Sequence, residues 1–331
     1  MKQIFFGLFL LLRISLWAET QAYSPQENIL VIHSYHQGLQ WTDSISAGIN
    51  SVLRDENVEV HFEYLDTKRN SGEKYYQLLV EFEKQKKNLS NIDFKVIICS
   101  DNNALRFIME YGDTLYHDVP VVFCGINNFT EEMIQNRSDI TGVVESIDYT
   151  ATLDLIHFLH PERHNVIFII DRTTTGIMVK TEVEKVLADY KDVYTFEFYQ
   201  DFVLDDVPER ISALGDNDVI YLLTFNRDIE GKFISYFDGI KMIHQYSKVP
   251  IYGAWDFYFK NGIVGGMLTN GESQGKAAAE LAREILHDVS VSDLDIITSS
   301  PNRMMFDYNE MKRFGIRRDQ LPENSEIINQ P

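Results

Sequence analysis

The chain has 331 residues, enough for two domains of ordinary size, each with its own core. A hydrophobic share of 44% and an aromatic share of 12% exclude a disordered polypeptide. Fifty acidic against 30 basic residues give a formal charge of −20, which repels phosphate backbones and anionic membrane surfaces and speaks against nucleic acid as a partner.

Residues 1–22 carry the pattern of an export signal. Lys2 is the positive start, Ile4 to Leu12 is apolar apart from Gly7, and Ala18 and Ala22 are small residues suited to cleavage. The apolar run is short of the roughly 20 residues that a bilayer span requires. The expected location is therefore periplasmic or extracellular. Neither Ala18 nor Ala22 has a cysteine beside it for lipid attachment.

From there, strand and helix signals alternate. Asn28 to Ser34 is a continuous apolar run, the kind buried on both faces of a parallel sheet. A helix is predicted from about Asp43 to Asp55, capped by Thr42 or Asp43. Val58 to Tyr64 reads as a strand, Gly72 to Lys87 as a helix, Phe94 to Ser100 as a strand and Asn103 to Tyr111 as a helix. Val119 to Gly125 is the fourth strand. The stretch Ile140 to Pro161 then gives a short strand (Thr141 to Glu145), a polar break and an amphipathic helix. Thr150 or Thr152 is its cap, and Leu153, Ile156, Phe158 and Leu159 are its apolar positions. This stretch reads as the crossing between two lobes, with Glu145 where the crossing begins.

The second half repeats the scheme. Strands are predicted at Asn165 to Ile170, Thr195 to Tyr199, Asp218 to Thr224, Val249 to Trp255 and Gly262 to Met267. Helices are predicted at Ile177 to Tyr190, Val207 to Leu214, Gly231 to Tyr246 and Glu272 to Leu286. Arg303 to Phe306 is a further strand without an assigned lobe, and the tail reads as loop. Alternation at this spacing implies right-handed βαβ units. The fold class is α/β, with two doubly wound parallel-sheet lobes joined by hinge strands. The predicted division is 1–22 signal, 23–143 first lobe, 144–270 second lobe, and 271–331 a helix and tail that cross back between the lobes.

Cys99 and Cys124 end two apolar runs, VIICS and VVFCG. Neighbouring parallel strands rarely offer disulfide geometry, and buried free cysteine is common in cores. Two cysteines without supporting histidines make no zinc site, so no metal or cofactor is expected.

Ligands of open parallel sheets bind beyond the carboxyl ends of the strands. That rule nominates Ser34, His36 and Trp41; Ser100, Asp101 and Asn102; Asn127; Glu145; Asp171, Thr173 and Thr174; Thr224 and Asn226; and Trp255 and Asp256. Most of these precede helices, whose N-terminal N–H groups favour carboxylate or similar anions. Trp41, Phe225 and Trp255 offer stacking surface. Each polar residue is equally suited to be an ordinary helix cap; the convergence of six junctions on one cleft is the stronger signal. No GxSxG elbow, P-loop, HExxH or GxGxxG occurs, and no paired acid and base stands out. This favours binding over catalysis, with a hydrolase using Asp101 or Asp256 as the enzymatic rival.

Several stretches carry a family resemblance: ILVIHSYHQGLQWTDSISAGI, VPVVFCGINN, ITGVVESIDYTATLDL, VPIYGAWDFYFKNGIVGGMLTNGESQGKAAAELA, SPNRMMFDYNEMKRFGI and LPENSEIINQP. The chain resembles the substrate-binding proteins of ABC transporters with the type I periplasmic fold. More closely, it is similar to a branch that also serves as the extracytoplasmic sensor region of bacterial histidine kinases. The resemblance implies two lobes closing on a small organic ligand, with an ABC permease as partner, or a membrane sensor kinase in the alternative. It leaves open a homodimer and a free-standing or receptor-borne chain. Some wider relatives are similar to binders of aromatic amino acids. Their site positions fall around Ser100 to Asn102, Gly125 to Asn127 and Asp171 to Gly176. SDNN and DRTTTG depart from that pattern, so the ligand's identity does not carry over.

Overall fold

The computed structural model describes residues 26–70, 72–90, 92–259, 261–299 and 302–330. The predicted export signal lies outside the described residues.

The first sheet has five parallel strands in the order β2-β1-β3-β4-β5. These are β1 (Glu27–His33), β2 (Val58–Tyr64), β3 (Phe94–Ser100), β4 (Val121–Ile126) and β5 (Ile140–Val144). β1, β3 and β4 are apolar because both of their faces are covered. One face packs on α2 (Glu73–Ser90) and α3 (Asp101–Leu115) and the other on α1 (Gln40–Leu53). The second sheet has seven strands in the order β12-β11-β10-β9-β8-β6-β7. β6 (Asn165–Ile169), β7 (Thr195–Tyr199), β8 (Asp218–Leu222), β9 (Ile251–Gly253) and β10 (Gly265–Leu268) are parallel. β11 (Arg303–Asp307) pairs antiparallel with β10, and β12 (Glu326–Ile328) joins β11 in parallel. Its helices are α4 (Tyr149–Leu159), α5 (Thr174–Leu187), α6 (Val207–Ser212) and α7 (Tyr236–Tyr246).

Three connections pass between the sheets. The first runs from β5 to α4. The second runs from β10 to α8 (Gly271–Leu286), which returns to the first sheet and packs along α1. The α1–α8 contact is so close that a Cβ on Gly48 would meet the Glu272 carbonyl oxygen at 2.2 Å, and one on Gly275 would meet that of Ile45 at 2.1 Å. The third follows Ile297, which bridges Val143, and leads back to β11. This assigns Arg303 to Phe306 to the second sheet.

Several predicted details change. α1 starts at Gln40, two to three residues before its expected caps, with Leu39 at the cap position and Trp41 inside the helix. α4 is capped by Asp148, whose side chain accepts from Ala151 N, not by Thr150 or Thr152. Phe158 is 64% exposed, because helical spacing turns it away from Leu155, Ile156 and Leu159. Residues 231–235 are loop, and α7 begins only at Tyr236, after the Ser235 cap. The tail holds α9 (Tyr308–Arg313) and β12 in place of a plain loop.

Cys99 and Cys124 are buried free thiols. Ser100, not Cys99, pairs with Cys124, so the pleat sends the two side chains to opposite faces of the sheet.

Candidate ligand site

The lobes meet along a seam between the carboxyl ends of the two sheets. Tyr35, just past β1, places its hydroxyl 2.5 Å from the Thr175 hydroxyl in the first turn of α5. Lys68, in the loop after β2, lies 3.4 Å from the same Thr175 oxygen and 4.5 Å over the Tyr35 ring. Asn128 N and Tyr149 Oη donate to Glu182 of α5. His36 packs edge-on against Phe233.

Behind this seam is a buried aromatic group. Trp255 and Phe257 stack at 5.8 Å, Tyr236 stacks on Phe257 at 4.1 Å, and Trp41 meets Phe257 edge-on at 6.2 Å. Trp41 comes from α1 of the first lobe and the others from the second, so the cluster bridges the two. Such pairs favour these offset and edge geometries.

Carboxylates are set among the rings. Trp41 Nε1 donates to Asp101 Oδ1 at 2.9 Å, and Ser100 Oγ donates to Asp101 Oδ2 at 3.2 Å. Burial pushes the Asp101 carboxyl up to about 7, against the opposing pull of the Trp41 bond, Lys68 and Ser100. Asp101 sits at φ 69°, a left-handed conformation that costs a non-glycine residue energy and tends to mark functional positions. Trp255 Nε1 donates to Glu145 Oε1 at 2.5 Å and Asn127 Nδ2 to Oε2 at 3.0 Å. Burial, then repulsion from Asp101, raises the Glu145 carboxyl well above its usual range. The charges of Asp171, Asp101 and Glu145 favour the protonated forms of both Lys68 and Tyr236.

The other nominated residues divide into two groups. Asp171 is enclosed by its own loop and the loop after β8, accepting from Thr173 N and Oγ1, Thr224 Oγ1 and Asn226 N. Thr173 also caps α5 through Gly176 N. Thr174 lines an interlobe cavity. Ser34 ties β1 to β3 and α3, donating to Ser100 O and accepting from Ala104 N. Asn102 and Asn127 bond reciprocally at 3.0 and 3.2 Å. His36 Nδ1 lies 3.4 Å from Asp66 at the rim. Asp256 accepts from Asn270, the cap of α8. The buried Oδ1 atoms of Asn127 and Asn226 have no hydrogen-bond partner among the described residues.

The strand-end rule as applied to the sequence left out Lys68, Thr175, Tyr236, Phe257 and Gln274. Lys68 follows β2, a strand end to which the rule applies equally. Gln274 of α8 reaches across to accept from Gly125 N, a contact that only the returning helix makes possible.

Two α/β lobes facing each other across a polar and aromatic seam define the type I periplasmic binding protein fold. The chain belongs to the ABC transporter substrate binding protein family, whose pattern matches residues 30–324. No curated protein matches it. Among solved structures it is similar to a Streptococcus pneumoniae ABC domain in complex with L-Trp, at 16% identity and a TM-score of 0.68, over 92% of this chain and 100% of that one. It is also similar to the ligand-free, open CD0873 of Clostridium difficile, a substrate binding protein with adhesive properties, at 16% identity and a TM-score of 0.63, over 92% and 100% of the two chains. A carbohydrate transporter protein of Acidothermus cellulolyticus in complex with myo-inositol aligns at 13% identity and a TM-score of 0.56, over 84% and 93%. The family is one of solute-binding proteins, not enzymes. No helix among the described residues is long and apolar enough to cross a membrane.

Proposed function

We propose that this chain is an extracytoplasmic solute-binding protein that closes its lobes around one small organic ligand, amino-acid-like or of similar size, and presents it to an ABC permease. The observation that carries this reading is the interlobe cluster of Trp41, Asp101, Glu145, Tyr236, Trp255 and Phe257, buried and drawn from both sides of the seam. Rings supply apolar contact area at low entropic cost, and carboxylates and amides supply direction. Closure converts a wet cleft into a dry one, where each polar contact strengthens. The pneumococcal L-Trp complex and the myo-inositol complex support a ligand of this size class.

Native mass spectrometry of the chain, isolated without denaturation from cells grown in rich medium, tests this reading. The expected result is a population carrying one small molecule, released by Trp255→Ala. Only bare protein, after isolation under conditions that retain ligand in a control binding protein, would count against it.

A further inference from the structure

Beside the aromatic cluster lies a separate interlobe cavity of about 130 Å³. Thr67 and Lys68 close it from the first lobe; Thr174 and Thr175 of α5, with Arg172 and Arg227, close it from the second. No carboxylate lines it, in a chain of net charge −20. Three cations around a space free of acids run against the composition of the whole chain.

The bonding of these groups is incomplete. Lys68 is 2% exposed, yet its ammonium makes no salt bridge among the described residues; its polar contact is the long one to Thr175 Oγ1. Burial lowers its pKa, and the carboxylates at a distance oppose that shift. A buried ammonium with no carboxylate in direct contact is costly. The buried Nε of Arg227 has no partner among the described residues. Arg172 keeps its own partner, Asp201, at the outer edge. The α5 cap satisfies Gly176 N and Asp171 satisfies Thr173 N, but the amides of Thr174 and Thr175 donate to no acceptor among the described residues. α5 has 14 residues, long enough for its positive end to count.

We propose that this cavity is an oxyanion subsite, in which Lys68, Arg227 and the first amides of α5 hold the acidic group of the ligand. The inference rests on the interlobe cleft being the ligand site, and it narrows the ligand to an organic anion or a molecule with an anionic end. The body of that ligand lies towards Tyr35 and the Trp41–Phe257 rings. Carboxylate and phosphate share the recognition chemistry, and the subsite joins the lobes because Lys68 belongs to one and α5 to the other. The anion thus supplies the counter-charge that favours closure.

Calorimetry with matched probes tests the subsite: 3-phenylpropionate, 3-phenylpropionamide and phenyl phosphate, each against the full chain and its Lys68→Met, Lys68→Arg and Arg227→Met variants. At least one acid should bind at least tenfold more tightly than the neutral amide. Lys68→Met should weaken that acid by about tenfold to a hundredfold, as loss of a charge-assisted bond does, and Lys68→Arg should recover part of it. Whichever acid binds identifies the source as carboxylate or phosphate. Equal binding of acid and amide, or unchanged acid binding by a folded Lys68→Met and Arg227→Met, overturns the subsite. If neutral sugars or amines stabilise the chain while no acid binds, the subsite fails and the cleft reading stands. If no small molecule of any charge binds, both fail.

Discussion

The Tyr35 and Thr175 hydroxyls stand 2.5 Å apart across the seam, one behind β1 and the other in the first turn of α5. The bond ties one lobe to the other. Tyr35→Phe removes this bond while leaving the ring under Lys68. A net hydrogen bond contributes about 0.5–1.5 kcal/mol, so ligand affinity should fall by roughly two- to twelvefold. Thermal unfolding of the ligand-free chain should change little. Titration calorimetry and a melting curve measure the two effects separately; a large melting loss with unchanged affinity would place the bond in the folding core instead.

Asp101 sets a pH dependence. Its folded pKa, pushed up to about 7 by burial, lies above the unfolded value near 3.8. The folded chain therefore binds this proton more tightly than the unfolded chain. The resulting stabilisation is full below about pH 4 and is lost as pH rises through about 7. Glu145 shifts in the same direction. His33, brought down to about 3 by burial, acts with the opposite slope between its two values. The difference between wild type and Asp101→Asn isolates the carboxyl. Wild type should gain more stability than the variant on going from pH 8 to pH 5 in urea titrations. Parallel curves for the two would show that Asp101 ionises normally.

The α1–α8 contact tests the chain's return to the first lobe. A side chain at Gly275 would run into the Ile45 backbone. Overpacking costs about 1–3 kcal/mol, and backbone on both sides leaves little room to relax. Gly275→Val should lower the melting temperature by several degrees, whereas Gly215→Ala, with open space around it, should not. Equal melting temperatures would mean that α8 packs elsewhere.

The thiols give a simpler check. Cys99 and Cys124 are fully buried, and burial raises both thiol pKa values. Neither should react with a thiol reagent in the native chain, and both should react after unfolding. A disulfide-linked product would contradict the opposite-face placement.

The alternation of apolar runs and amphipathic helices made the two sheets legible, down to the full extents of β2, β3 and β7. The central β3 announces itself by an apolar run covered on both faces, and the edge strands β2 and β7 by alternation of apolar and polar residues. β11 could not be placed, because its antiparallel pairing with β10 follows a third crossing that local sequence does not encode. The strand-end rule brought out Trp41, Asp101, Glu145 and Trp255, which hydrogen-bond in pairs. It also nominated Ser34 and Asn102, whose bonds are internal ties of the first lobe, because cap and contact residues share the same chemistry. Lys68 lies just past β2, where the same rule could have found it, but Tyr236 and Gln274 stayed hidden for another reason. Each reaches the centre from a helix start far away in the chain, and no spacing marks the approach.

Trp41 and Trp255 are the two tryptophans among the described residues, and both belong to the cleft. A thermal-shift screen of amino acids, organic acids, nucleosides and sugars, with tryptophan emission followed for each hit, therefore tests the account most directly. At least one compound should raise the melting temperature with concentration, change the emission saturably, and do neither with Trp255→Ala. No stabilising compound in any class, or a hit that stabilises Trp255→Ala to the same degree, would contradict a ligand enclosed between the lobes.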